Sequence, residues 1–284
     1  MKIDAAQRLE DNDTAYSNSG AVKGADSFAP RWSEAAEKFR AGLMADGRGS
    51  LDQPYGEGPR QVYDLFLPVH PPRGLFVFVH GGYWQRLDKS FFSHLAAGPL
   101  ERGFAVAIPS YTLCPDIRIA GIVKEIASFL GHVAAQVDGP ITLAGHSAGG
   151  HLVARMASAP SPLSDDVRAR IAAVVPISGV HDLRPLLANS MNTVLHLDAE
   201  EARAESPALL DPAIKAPVTC WVGGDELPEF LRQNAVLASL WYGLGVPTRA
   251  VVSPGKHHFD VIDDLADPHS AMTAIVSPQP PEPD

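Results

Sequence analysis

"ITLAGHSAGGHLVARMASA", residues 141–159, passes from an apolar strand through a glycine-rich turn straight into a helix. The run ending at Gly145 reads as a buried strand, and AGGHLVARMASA (148–159) has helical spacing from its first turn. Gly145-His146-Ser147-Ala148-Gly149 therefore fits G-x-S-x-G at a strand-to-helix junction. The flanking glycines let strand and helix approach without Cβ collisions. The serine takes a strained conformation that lifts its hydroxyl above the sheet, before the positive end of the helix. By spacing alone the pentad is weak evidence, and a helix-capping serine in a glycine-rich turn is the plain alternative. Its place at the junction supplies the rest.

Outward from this stretch the same alternation repeats. RQVYDLFLP (60–68), GLFVFV (74–79), GFAVAIPS (103–110), IAAVVPIS (171–178), APVTCWVG (216–223) and TRAVVS (248–253) read as strands. Helices are expected at 89–102, 119–137, 227–245 and 259–276, the last interrupted by Pro268. Near-continuous apolar strands separated by amphipathic helices require a mostly parallel sheet covered on both faces, so the fold class is doubly wound α/β. Residues 1–55 read as an N-terminal arm with a helix at 29–45, opened by Pro30 and closed by Gly47. Residues 179–215 form a polar interruption suited to a small cap over the carboxyl edge of the sheet. The Pro-rich end, 277–284, reads as disordered. The whole is expected to be one domain.

The chain has 284 residues, 45% of them hydrophobic, and a net charge of −10 from 33 acidic and 23 basic side chains. No basic cluster is present to neutralise phosphates, which excludes a nucleic-acid partner. The start carries charge where a signal peptide needs an apolar core, and no apolar run approaches the roughly 18 residues of a membrane span. The expectation is a cytoplasmic protein with no membrane partner, for which a homodimer stays open. Cys114 and Cys220 lack a C-x-x-C partner and read as structural thiols.

A serine hydroxyl needs a base, and the base an orienting acid. On a sheet of this kind the acid and then the histidine follow the serine on loops after later strands. His257 and His258 follow the last strand, and His258, preceding the apolar FDVIDDL, is the one expected to turn inward. Asp225 and Glu226 follow the strand VTCWVGG, and either could accept from an imidazole. The oxyanion needs donors already in place: the N–H of Ala148 and, from VFVHGGYWQ (77–85), those of Gly81 and Gly82. Tyr83 and Trp84 are expected as the pocket wall, and Tyr111 at another strand end as a lining residue. His181-Asp182 reads as a turn cap and His151 as a packed residue.

HGGYWQ, GHSAGGHL, GGDELPEFLRQ and HHFDVIDDLADP, with AYSNSGAV and RW in the arm, together resemble the arylformamidase, or kynurenine formamidase, branch of the α/β-hydrolases. The hormone-sensitive-lipase-like esterases share the HGG and G-x-S-x-G parts. The resemblance implies an α/β-hydrolase fold with Ser147 as nucleophile and His258 as base. It makes Glu226, two positions before Pro228, the acid, where animal members carry aspartate. It further implies hydrolysis of an N-formyl or small acyl group from an aromatic amine or ester, a small-molecule substrate and no cofactor. H-E-x-x-H is absent and the histidines are scattered, so no metal is expected. The alternatives are a general carboxylesterase for short-chain esters and a non-catalytic ligand-binding homologue. The second is disfavoured because nucleophile and base are both present.

Overall fold

The structure, a computed structural model, describes residues 5 to 278. One sheet has the order β1-β2-β4-β3-β5-β6-β7-β8. Its strands are β1 Gly49–Pro54, β2 Val62–Phe66, β3 Leu75–Val79, β4 Ala105–Pro109, β5 Ile141–His146, β6 Ile171–Ile177, β7 Val218–Gly223 and β8 Thr248–Ser253. β2 runs antiparallel to both neighbours, and all pairings from β4 to β8 are parallel.

Strands β3, β4 and β5 are buried along their whole lengths, as their unbroken apolar sequences require. Alternation divides their side chains between two cores. Leu75, Val77 and Val79 join the residues of helices Ile119–Ala134, Ala148–Met156 and Pro228–Tyr242 on one face. Phe76 and Phe78 join Phe28, Trp32 and Leu43 of helix Phe28–Ala45, and Met272 and Val276 of helix Ala271–Val276, on the other.

Several segments differ from their sequence reading, among them the expected helix 259–276, which is a 3₁₀ turn Asp263–Ala266 and a short helix Ala271–Val276. Within the stretch read as arm, GSLDQP forms the edge strand β1, alternating between partial and full exposure. Its Gly, Asp and Pro carry no strand pattern, and pairing with β2 alone makes it a strand. The expected helix 89–102 is two 3₁₀ turns, Lys89–Phe91 and Ser93–Ala96, before a short α-helix Ala97–Glu101. Phe92 and Leu95 both enter the core, a three-residue spacing that 3₁₀ geometry aligns. At the carboxyl end, Ser277 is buried, donates to Thr273 O at 2.8 Å and accepts from Arg102 Nε at 2.6 Å. That arginine orders the start of the stretch read as disordered; residues 279–284 lie outside the described residues.

Because β4 lies on one side of β3 and β5 on the other, the winding reverses there. The carboxyl ends of strands at such a reversal leave a crevice for ligands. Loop 80–84 and Ser147 follow β3 and β5 directly. Among the described residues no helix is long and apolar enough to cross a membrane.

Candidate active site

Ser147 ends the strand and begins the helix with φ 55° and ψ −116°. A side chain in that region is strained and persists only where neighbours over-determine it. Here the Ser147 N–H donates to Ile177 O at 2.8 Å, and its carbonyl accepts from His151 N at 3.1 Å. The pentad glycines are steric necessities. A Cβ on Gly149 would stand 2.0 Å from Val79 O, and one on Gly145 2.2 Å from Gly149 O.

Ser147 and His258 line one cavity. Among the described residues Ser147 Oγ and His258 Nε2 have no hydrogen-bond partner and are not among the sealed polar atoms, so both open onto it. His258 Nδ1 lies 2.7 Å from Glu226 Oε2. A carboxylate only accepts, so Nδ1 carries the hydrogen and Nε2 presents its lone pair. The other Glu226 oxygen accepts from Ser178 Oγ at 2.5 Å and Gly223 N at 2.8 Å, and the side chain is fully buried. Asp225 is exposed, and among the described residues only its backbone N–H is engaged, on Lys256 O. His257 turns aside toward Asp260 at 3.1 Å. The two choices left open by spacing are thus separated by geometry: His258 meets Glu226. His146, inside the pentad, donates from Nε2 to His258 O at 2.8 Å. Burial and the neighbouring His258 hold its pKa well below the ordinary value, so the ring beside the base is neutral.

Loop 80–84 is held from behind. His80 Nδ1 donates to Gly81 O at 2.7 Å, and Tyr111 OH donates to His80 O at 3.0 Å. The N–H and C=O of a trans peptide point opposite ways. Fixing these two carbonyls therefore aims the Gly81 and Gly82 N–H groups away from His80 and Tyr111. A Cβ on Gly81 would come within 3.0 Å of Ser147 Cβ, so this backbone abuts the serine. Among the described residues the N–H groups of Gly81, Gly82 and Ala148 have no acceptor.

Gly82, Tyr83 and Trp84 have φ of 111°, 55° and 59°. That left-handed run corrects the expected pocket wall. Tyr83 lines the cavity, with its hydroxyl on Tyr16 O and Asn18. Trp84 instead turns into the core, 1% exposed and edge-on to His151 at 5.3 Å. Tyr111 is also buried, stacked on His80 at 4.3 Å, and supports the loop rather than lining the cavity. His151 is packed, with Nε2 on Glu205 O, and Asp182 caps its turn through Arg184 N. Among the described residues no group of three or more His, Cys, Asp or Glu could hold a metal.

The BD-FAE family model matches residues 63–220, which span β2 to β7. The chain is 30% identical to kynurenine formamidase of Drosophila melanogaster over 229 residues, 75% of each chain. Against the Danio rerio kynurenine formamidase it is 28% identical over 237 residues, 80% of each. The chain belongs to the BD-FAE family of α/β-hydrolases, on its kynurenine formamidase-like branch. Among solved structures, a Silicibacter sp. TM1040 protein provisionally named a thioesterase is 50% identical. Its TM-score is 0.89, with 93% of this chain and 98% of that one covered. The hyperthermophilic esterase of Pyrobaculum calidifontis, at 18% identity, has a TM-score of 0.67 over 89% and 92% of the chains and shares the fold. This α/β-hydrolase is a serine hydrolase of carboxylic amide or ester bonds.

The walls of the hydrolase cavity are the part that motif reading missed. Its volume is about 220 Å³, and Phe28 and Trp32 of the arm helix, with Phe92 and Phe259, supply its aromatic surface. No residue of 179–215 lines it, whereas Ser19, Ala25, Asp26 and Ala29 of the arm do. Tyr16 OH fastens the arm to Glu229 at 2.6 Å, and Asn18 Nδ2 to Tyr83 OH at 3.1 Å. The sequence signal for the arm's part of these walls was the resemblance of AYSNSGAV and RW to the family.

Proposed function

We propose that this protein is an arylformamidase, cleaving an N-formyl or small N-acyl group from an aromatic amine such as N-formylkynurenine. One observation carries the reading: Ser147, on a strained turn, shares a small aromatic-walled cavity with an imidazole whose Nδ1 is held by Glu226. The cavity has room for one substituted ring beside a one-carbon acyl group. His258 Nε2 takes the Ser147 proton as Oγ attacks the carbonyl carbon, while the amides of Gly81, Gly82 and Ala148 meet the oxyanion. The imidazolium returns the proton to the leaving amine, the C–N bond breaks, and an O-formyl serine remains. Water, deprotonated by the same nitrogen, then releases formate and restores the hydroxyl. Neutral His146 adds no positive charge beside the imidazolium that forms.

The test is a panel of formanilide, N-formylkynurenine, p-nitrophenyl esters and short acyl thioesters with purified protein. The expected result is the largest kcat/KM on the aryl formamides. Turnover of esters without formamides would overturn the reading in favour of a general carboxylesterase. Likeness to the Silicibacter protein favours including thioesters.

A further inference from the structure

Beyond Tyr83 lies a second cavity, of about 240 Å³, that no step above uses. Ser19, Tyr83 and Arg86 line both cavities, so the two adjoin. Arg86 is the one Arg or Lys lining either of them among the described residues, and it forms no salt bridge there. Its guanidinium lies 5.3 Å from the Tyr83 ring centroid, and its side chain is exposed. Asp13 also lines the second cavity; its Oδ1 accepts from Ser190 N at 2.7 Å, and among the described residues its Oδ2 has no hydrogen-bond donor. A zwitterionic group has no net charge for the chain's −10 to repel, so a cation and a carboxylate lining the same cavity decide whether it is accepted. A guanidinium suits a carboxylate in particular, through its planar fork of donors.

We propose that this second cavity receives an α-amino-acid arm borne by the aryl leaving amine, its carboxylate on Arg86 and its ammonium on Asp13. The proposal rests on the formamidase reading, since the aromatic cavity is filled by the ring and the arm must leave past Tyr83. The test compares N-formylkynurenine with its analogue in which hydrogen replaces the carboxylate, and with formanilide. Wild type is expected to favour the carboxylated substrate in kcat/KM by about tenfold or more, the scale of a charge-assisted hydrogen bond. Arg86→Gln should bring that ratio near one, Arg86→Lys should keep part of it, and Arg86→Glu should invert it. A wild-type ratio near one, or a ratio that survives Arg86→Gln, overturns the subsite while formanilide turnover leaves the formamidase reading standing. Cleavage of esters with no cleavage of any formamide removes both.

Discussion

At Ser147 the chain accepts a backbone conformation that its side chain resists, and the benefit is a hydroxyl open to a cavity rather than buried in a helix. Ser147→Ala should lower kcat by about a millionfold, the scale of a triad nucleophile; turnover within tenfold of wild type would remove this residue from the reaction. Glu226 makes a sharper case, because it has a neighbour of the same charge. Its two oxygens accept from His258, Ser178 and Gly223, whereas the Asp225 side chain is exposed. Glu226→Gln should cost about 10⁴ in kcat through the wrong imidazole tautomer. Asp225→Asn should leave kcat within a few-fold. Equal losses from the two, in steady-state assays at pH 7, would refute the assignment of the acid. Spacing had narrowed the acid to these two; which one turns inward depends on the path from β7 to the helix Pro228–Tyr242.

The element that matters most is the helix after Ser147, whose first turn presses on β3. Gly149 meets backbone, Val79 O, where a Cβ would have to go, and no side-chain rotamer relieves that contact. Gly149→Ala should therefore destabilise the fold by about 3 kcal/mol or more, at the upper end of overpacking costs, and displace the serine as well. Chemical denaturation read by fluorescence checks it; an unchanged midpoint with full activity would show that strand and helix are not so close. The contrast with loop 80–84 is instructive. Its glycines were legible as a backbone binding element, but the fate of its aromatics was not. Two successive positive φ values, at Tyr83 and Trp84, set one ring on the cavity and the other in the core.

Across the whole molecule, several histidines are buried as neutral rings. Burial pushes the pKa of His80 and His151 down to about 4 and that of His181 down to about 3. An unfolded imidazole takes its proton near pH 6.5, so the unfolded chain binds protons before the folded one does. The stability these residues contribute is complete above about pH 6.5 and is lost as the pH falls toward the folded values. At pH 4 the loss is about 3 kcal/mol for each of His80 and His151, a large share of a typical total of about 5–15 kcal/mol. The denaturation midpoint should be level near neutrality and fall steeply between about pH 6 and 4.5, with more than one proton taken up per molecule unfolded. A midpoint unchanged down to pH 4.5 would mean that these rings are not held neutral.

The sequence by itself determined the doubly wound core, the strained serine turn, the glycine loop and the pair of candidates for base and for acid. Each of these is written in local chemistry: apolar runs, glycines where Cβ has no room, and polar residues at strand ends. Only the tertiary structure decided what surrounds the hydroxyl. Phe28 and Trp32 reach the cavity from an arm more than a hundred positions before Ser147, and their helix looks, in sequence, like any amphipathic surface helix. Local pattern records which face of an element is apolar. Which distant element covers that face follows from packing the whole chain.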